Sequence, residues 1–321
     1  MNNRTRALNF TEIQIRRVLS CIQDAIKPAL KTLGWLFRWM IPVSLFVTLL
    51  DYSGVLVVIS DLLNPVFNLV GLSGQCSLVF ITAILLHLYS AIAVIGSLSL
   101  NMREITILAI MCLIAHNLII ETMVQKKTGS SAIRMLVLRI GAAFFAAWVF
   151  NLLLPNQLQE KVYHLTAPVN NLGFTQMLAV WGLNTFQLVL KVTAFVFSII
   201  IIQRVLVEFG VLKWLSVVFT PFMKILGLSE KSSFLWIVAN VIGLMYGAAI
   251  MFDELNKGKI SRKDCDLLNH HVAISHSLLE DTLLFVALGV SGWWIIVPRI
   301  LLAIPVVWVT KTVNEKSLKP A

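Results

Sequence analysis

The chain has 321 residues, of which 58% are hydrophobic and only 13% are charged. Soluble domains carry about 45–50% apolar and roughly 25% charged residues, so this composition excludes a water-soluble globule. The mean hydropathy is +0.85, and the apolar stretches approach the ~20 residues that a helix needs to cross a bilayer. We therefore predict an all-α polytopic membrane protein in which strands do not matter.

The net charge of +10 comes from basic residues that lie mainly between apolar segments and at the termini. Basic residues placed in this way set the orientation of a protein in the membrane. Membrane lipids are therefore expected partners, and nucleic acid is not. The four cysteines are scattered without a CxxC pair, which indicates neither a disulfide framework nor a thiolate metal site.

Residues 1–34 form the first predicted segment, which is rich in lysine and arginine and lacks a signal-peptide cleavage site. Basic flanks stay in the cytoplasm, so the N-terminus is expected there, in the inner membrane of a bacterial cell. An interfacial amphipathic helix is expected over 11–33, because apolar residues recur there at helical spacing.

The rest of the chain contains an internal duplication. Gly54, Pro65 and Gly71-Leu72-Ser73 recur 156 residues later as Gly210, Pro221 and Gly227-Leu228-Ser229. The segment that begins at His116 and includes Glu121 recurs at an offset of 160, beginning at His276. A constant order of matched segments indicates two structural repeats, at 35–154 and 186–310.

Equivalent loops of the two copies differ in charge. The loop after the first histidine span carries Lys126, Lys127, Arg134 and Arg139, whereas the equivalent loop at 288–292 carries no basic residue. The loop before the second histidine span is basic and its counterpart at 99–104 has only Arg103. Opposite charge bias predicts that the copies are inverted relative to one another across the membrane.

One membrane topology agrees with the charge of all these loops. It has six spans, at 39–58, 105–122, 133–154, 186–207, 267–288 and 292–310, and two re-entrant hairpins, at 76–98 and 233–252. Residues 155–185 contain the linker and the start of a connecting helix, and residues 311–321 form a cytoplasmic tail.

Ionisable residues at membrane depth are the main functional candidates, because they are costly unless paired or facing a cavity. His276 and Glu280 are expected to share a helix face, as are Ser277 and Asp281. Three interpretations remain open: ion pairs that hold packed spans together, a site for a solute or coupling ion, and a transition-metal site. The second is preferred, so no metal ligand and no cofactor is assigned.

The segments ILAIMCLIAHNLIIETMVQKKTG (107–129) and NHHVAISHSLLEDTLLF (269–285) resemble the bacterial nucleoside-recognition or Gate domain family. That family includes spore maturation membrane proteins and is similar to the membrane part of ferrous iron permeases and to the core of concentrative nucleoside transporters. The resemblance implies an interfacial helix, a re-entrant hairpin, a broken span and a span in each half. By position it points to the following substrate- or ion-binding residues: Tyr89, Ser90, His116, Asn117, Glu121, Asn240, Tyr246, Ser275, His276, Ser277, Glu280 and Asp281.

The sequence contains no phosphate-binding glycine loop and no nucleophile–base–acid series, so an enzyme is not expected. We predict a secondary transporter for a small polar solute, with a nucleoside-like compound as one candidate and H⁺ or Na⁺ as coupling ion. A divalent metal permease and a non-transporting scaffold or signalling protein are the alternatives. Whether the chain forms a homo-oligomer is left open.

Overall fold

The computed structural model describes residues 3–159, 162–163 and 173–316, and it is built almost entirely of helices. The first half contains α1 (Asn3–Tyr52), α2 (Val55–Asn68), α3 (Cys76–Leu85), α4 (Leu88–Ser97), α5 (Met102–Ala115), α6 (Leu118–Lys127) and α7 (Ala132–Leu153). The second half contains α8 (Phe174–Glu208), α9 (Val211–Phe219), α10 (Ser233–Val241), α11 (Leu244–Asn256), α12 (Arg262–Ser275), α13 (Glu280–Val286) and α14 (Gly292–Lys316). The predicted all-α polytopic membrane protein is confirmed.

Short non-α elements connect some of these helices. Turns of 3₁₀ helix lie at Asn156–Gln159, Thr220–Lys224 and Glu230–Ser232. Contrary to the expectation of no strands, β1 (Leu100–Asn101) pairs antiparallel with β2 (Val162–Tyr163). Each strand is only two residues long. The pair joins the connection between the halves to the loop before α5.

Five stretches of the described chain are long and apolar enough to cross a membrane: Glu12–Tyr52, Met102–Lys127, Ala132–Leu153, Phe174–Glu208 and Gly292–Asn314. Their outer faces expose large apolar side chains, including Phe46, Leu152 and Phe186, as expected for surfaces in contact with lipid. The predicted span at 267–288 is not a single long helix, because a break divides it between α12 and α13.

The N-terminal region differs from its prediction. An interfacial helix over 11–33 and a separate span at 39–58 were expected, but α1 continues as one helix to Tyr52 despite Pro28 and Pro42. It ends where Gly54 adopts a left-handed backbone with φ 74°, which glycine does without steric cost. Gly210, its repeat equivalent, ends α8 with φ 69°. The predicted boundaries at 34/35 and 185/186 therefore fall inside continuous helices.

Each half contains two short helices that pack against one another. We call α3–α4 the first hairpin and α10–α11 the second hairpin. The chain turns at Leu86–His87 in the first and at Ile242–Gly243 in the second. In the second hairpin a Cβ on Gly247 would lie 2.9 Å from the Cβ of Ala239. Glycine at that position therefore permits the close approach of the two helices.

The core lies around the broken helices α5–α6 and α12–α13. Every residue from Arg103 to Ala115 is buried. Both α5 and α12 begin with a capping box, formed by Asn101 with Glu104 and by Ser261 with Asp264. Such caps satisfy amides at the first turn of a helix, so the two central helices start from equivalent, well-defined ends.

Part of the linker and of the tail lies outside the described residues. The linker expected around Pro155, Pro168 and Gly173 is described only at residues 155–159, 162–163 and from 173 onward. Residues 317–321 of the predicted tail also lie outside the described residues.

Candidate functional site

Both central helices break at a histidine. Asn117 and Ser277, which follow the two histidines, have left-handed backbones with φ 47° and 51°, a conformation that is uncommon for residues other than glycine. The Asn117 amide donates to the Ala83 carbonyl at 2.8 Å, and the Ser277 amide donates to the Ala239 carbonyl at 3.0 Å. Each break is therefore fixed to the first helix of the hairpin in its own half.

A fully buried arginine caps each break. Arg139 of α7 donates to the carbonyls of Ile114 and His116, both at 2.8 Å. Arg299 of α14 donates to the carbonyl of Ile274 at 2.9 Å and to that of His276. The last carbonyls of a helix lack intrahelical partners and carry partial negative charge. The two guanidinium groups therefore stabilise the ends of α5 and α12.

These arginines correct the sequence analysis. Arg139 was counted as a basic loop residue, but its side chain is completely buried. Arg299 was missed, although it stands 160 residues after Arg139, the same offset that relates His116 to His276. That shared offset was the signal that could have identified both.

The two histidines meet in the centre of the molecule, with ring centroids 5.0 Å apart. Glu121 lies between them: its Oε1 is 3.3 Å from Nε2 of His116, and its Oε2 is 3.2 Å from Nε2 of His276. Arg139 approaches Oε2 of Glu121 to 2.7 Å, and Oδ2 of Asp281 is 3.5 Å from Nε2 of His116. We call His116, Glu121, His276 and Asp281 the histidine–acid cluster.

The pairing within the cluster differs from the expected one. His276 and Glu280 cannot share a helix face, because α12 ends at Ser275 and α13 begins at Glu280. His276 instead contacts Glu121 from the other half of the chain. Glu280 accepts hydrogen bonds from the Tyr89 hydroxyl at 3.2 Å and from the Gln203 amide at 3.1 Å. Gln203 was not among the predicted site residues.

Two cavities flank the cluster. The polar cavity, of about 510 Å³, is lined by residues that include Asp24, Thr32, Gln203, Arg204, Tyr246 and Glu280. The aromatic cavity, of about 360 Å³, is lined by residues that include Trp35, Trp39, His87, Ser90, Asn117 and Ile120. Each cavity lies at the turn of one hairpin, and the polar cavity is also lined by α1 residues of the first half, including Asp24 and Thr32.

The remaining predicted residues lie around this centre. Ser275 donates to the His271 carbonyl at 3.1 Å, and its hydroxyl is 2.8 Å from Nδ1 of His271. The Asn240 side-chain amide donates to the Trp236 carbonyl, and the Asn240 backbone carbonyl accepts from the Leu279 amide. These contacts favour a structural role for Ser275 and Asn240, in which they stabilise the second hairpin and the break between α12 and α13.

The sequence matches known membrane proteins. The profile of the nucleoside-recognition (Gate) family matches residues 21–131. The uncharacterized membrane protein YvoD of Bacillus subtilis (strain 168) is 34% identical over 283 residues, which cover 85% of this chain and 87% of YvoD. No solved structure matches. The identity and coverage of the YvoD alignment, with the family match across the first histidine motif, show that this chain belongs to the nucleoside-recognition (Gate) family of membrane proteins.

Proposed function

We propose that this chain is a secondary transporter of the bacterial inner membrane that moves a small polar solute, with H⁺ or Na⁺ as coupling ion. A nucleoside-like compound is the first candidate, because the matched family is described as nucleoside recognition. The proposal is non-enzymatic: the site binds and releases a solute and forms no covalent bond to it.

The polar cavity is the observation that carries this proposal. Its volume of about 510 Å³ lies within the ~300–1,000 Å³ of ordinary ligand sites. Its lining combines acidic, basic, amide and hydroxyl groups, which together can hydrogen-bond a polar solute from several sides. Glu280 forms part of the wall and is held by Tyr89 and Gln203, so one carboxylate is presented in a fixed orientation.

The arrangement of the two halves supports an inverted repeat. α1 and its repeat equivalent α8 run antiparallel, since Arg17 pairs with Glu208 at 2.8 Å while the rings of Tyr52 and Phe174 lie 5.8 Å apart. Antiparallel equivalents are what a two-fold axis in the membrane plane produces. Transporters with such axes bind their substrates near the interface of the two repeats.

The contacts of the turns agree with this axis. A Cβ on Gly129, in the turn before α7, would lie 3.7 Å from the carbonyl oxygen of Arg262 at the start of α12. A Cβ on Gly289, in the turn before α14, would lie 3.2 Å from Met102 at the start of α5. Each half thus offers the same turn to the other, which supports placing the two turns on opposite sides of the membrane.

Both hairpins are short enough to enter the membrane and return on one side. Residues of both turns line the two cavities, and irregular backbone at membrane depth is tolerated where it lines a cavity. We therefore retain the re-entrant assignment of 76–98 and 233–252, with both termini in the cytoplasm.

Uptake into proteoliposomes tests the proposal. Purified chain should give saturable uptake of at least one compound from a panel of nucleosides, nucleobases and other small polar solutes, and uptake should be faster with an inward H⁺ or Na⁺ gradient. Glu280→Gln should reduce it by about tenfold or more, a loss of ~1.4 kcal/mol in transition-state stabilisation. The control is Glu230→Gln, because Glu230 pairs with Lys224 on the surface at 2.9 Å.

No flux and no binding across the panel under any gradient would contradict transport. Equal uptake by Glu280→Gln and wild type would contradict the assignment of the polar cavity.

A further inference from the structure

The strongest chemical feature outside the polar cavity is the centre of the histidine–acid cluster. His116, Glu121 and His276 present ligand atoms that all lie within 4.8 Å of one another. The exposed fraction of these residues is 2%, 4% and 0%. They come from the breaks of both halves, so the fold brings together groups that are far apart in the sequence.

The tautomer of both histidines is fixed by backbone. Nδ1 of His116 lies 3.0 Å from the Cys112 carbonyl oxygen, and Nδ1 of His276 lies 2.7 Å from that of Val272. A carbonyl oxygen can only accept a hydrogen bond, so Nδ1 carries the proton in each ring. In each neutral imidazole, Nε2 therefore carries a lone pair that is directed at the carboxylate of Glu121.

Acceptors thus face acceptors in a buried site. Among the described residues, Nε2 of His276 and Oδ2 of Asp281 have no hydrogen-bond partner, and Oε2 of Glu121 is contacted from one side by the Arg139 guanidinium. Buried polar atoms are almost always paired, and lone pairs that face one another repel unless a cation lies between them. The bonds from Nδ1 to backbone carbonyls are also the outer contacts that orient histidines in metal sites.

The separations match metal coordination. Nitrogen–metal and oxygen–metal bonds of ~2.0–2.1 Å in a tetrahedron place neighbouring ligand atoms about 3.3–3.4 Å apart. Oε1 of Glu121 lies 3.3 Å from Nε2 of His116 and Oε2 lies 3.2 Å from Nε2 of His276, so each carboxylate oxygen stands at such a separation from one histidine. Both distances exceed the usual ~2.9 Å of a nitrogen–oxygen hydrogen bond.

We propose that His116, His276 and Glu121 bind one divalent first-row transition-metal ion. Two imidazoles and one carboxylate form a donor set that suits Zn²⁺, Fe²⁺, Mn²⁺ and Co²⁺. Arg139 occupies one side of Oε2 of Glu121 and orients the carboxylate, which retains further lone pairs for the ion. Oδ2 of Asp281 lies 3.5 Å from Nε2 of His116 and would supply a further acceptor beside the ion.

A single proton on Nε2 of His116 would pair that ring with Glu121 and Asp281 but would leave Nε2 of His276 facing Oε2 of Glu121. The alternative without metal that gives both rings a donor places a second proton on each imidazole. That arrangement buries two imidazolium ions with centroids 5.0 Å apart, next to the Arg139 guanidinium. Like charges at such a distance disfavour one another strongly in a buried site. One ion shared by both rings removes this repulsion and joins the breaks of the two halves. The metal site lies beyond the proposed transport function and does not depend on it.

Metal binding by the purified full-length chain, carrying no histidine tag, tests the site. Calorimetry and metal analysis with Zn²⁺, Mn²⁺, Co²⁺ and anaerobic Fe²⁺ should give one ion per chain, and the Co²⁺ form should show visible absorption bands of a tetrahedral nitrogen–oxygen site. His116→Gln and His276→Gln should each weaken binding about tenfold or more, because losing even an outer partner of a metal ligand typically costs that much. The bands should shift or disappear in both variants.

The matched control is His270→Gln. His270 is a buried histidine of α12 whose Nδ1 also lies 2.7 Å from a backbone carbonyl, that of Asp266, but it lies outside the three-ligand group. Its variant should bind metal like wild type. If wild type binds no ion, or if His116→Gln and His276→Gln both bind like wild type, the site is wrong. Because the assay uses detergent-solubilised protein and no gradient, its failure is separate from failed uptake, which is measured with chelator present.

Discussion

The two halves share one backbone design but differ in chemistry. In both, a histidine ends the central helix, the next residue adopts a left-handed backbone, and an arginine 23 residues after the histidine caps the break. Position 120 of the first half is isoleucine, whereas its equivalent in the second half is Glu280. Ile120 lines the aromatic cavity and Glu280 lines the polar one.

From this difference we infer which features serve the scaffold and which would serve the proposed binding of a solute. The repeated features hold two broken helices in contact, so both halves need them. The carboxylates do not follow the symmetry: Glu121 contacts both histidines, whereas Asp281 contacts only His116 within the ion-pair distance. Binding selectivity in this protein is therefore expected to depend on positions where the copies diverge.

Labelling of introduced cysteines gives the largest expected effect on this comparison. Lys127 and Ala287 are repeat equivalents and both are exposed, whereas Thr128 beside Lys127 is buried. In intact cells a membrane-impermeant maleimide should label Ala287→Cys and should not label Lys127→Cys until the cells are opened. The four native cysteines are buried, so the background is low. Labelling of both positions from the same side would exclude inverted copies.

Removal of the buried arginines should produce the largest loss of stability. Arg139→Met leaves two helix-end carbonyls and the Glu121 carboxylate unpaired, and we expect a loss of about 3–5 kcal/mol. Arg299→Met leaves the carbonyls of Ile274 and His276 without their donor. We expect this variant to lose about 1–3 kcal/mol of stability. Thermal unfolding in detergent, followed by tryptophan fluorescence, measures both.

The control for the arginine variants is Arg134→Ala. Arg134 lies in the same helix as Arg139, but its side chain is 53% exposed and stands 3.6 Å from Asp266. Surface pairs of this kind contribute below about 1 kcal/mol. Equal losses for Arg139→Met and Arg134→Ala would mean that the capping assignment is wrong.

Exchange at the diverged position tests the chemical difference directly. Ile120→Gln places an amide at the aromatic cavity and should leave uptake within about twofold of wild type, an effect below ~0.5 kcal/mol. Glu280→Gln, the same amide at the equivalent position, should lose most of it. Similar uptake by the two variants would show that the cavities are functionally alike.

The left-handed residues should give the smallest effect. Ser277→Gly should stabilise the chain by about 0.5–1 kcal/mol, because glycine adopts φ 51° without the steric cost that serine bears. Asn117→Gly should change stability less, since asparagine tolerates this conformation better than serine. Chemical denaturation of the two variants and wild type provides the measurement. A larger gain for Asn117→Gly would reverse the ranking.

The sequence alone determined the class of protein, and it predicted an internal duplication and the main ionisable residues. Apolar composition and basic loops are properties of single segments, so they can be read without a fold. Constant offsets likewise identified His116 with His276 before any contact was known. The family resemblance also came from local motifs, and the match over residues 21–131 confirmed it.

Only the tertiary structure decided which groups meet. The helix α1 continues through Pro28 and Pro42, and the breaks at the histidines are fixed by hydrogen bonds from Asn117 and Ser277 to the hairpins. The pairing of Glu121 with both histidines crosses between halves that are about 160 residues apart. A helical spacing rule describes neighbours within one helix, so it assigned His276 to Glu280, whereas the packing of the two halves against one another brings His276 to Glu121.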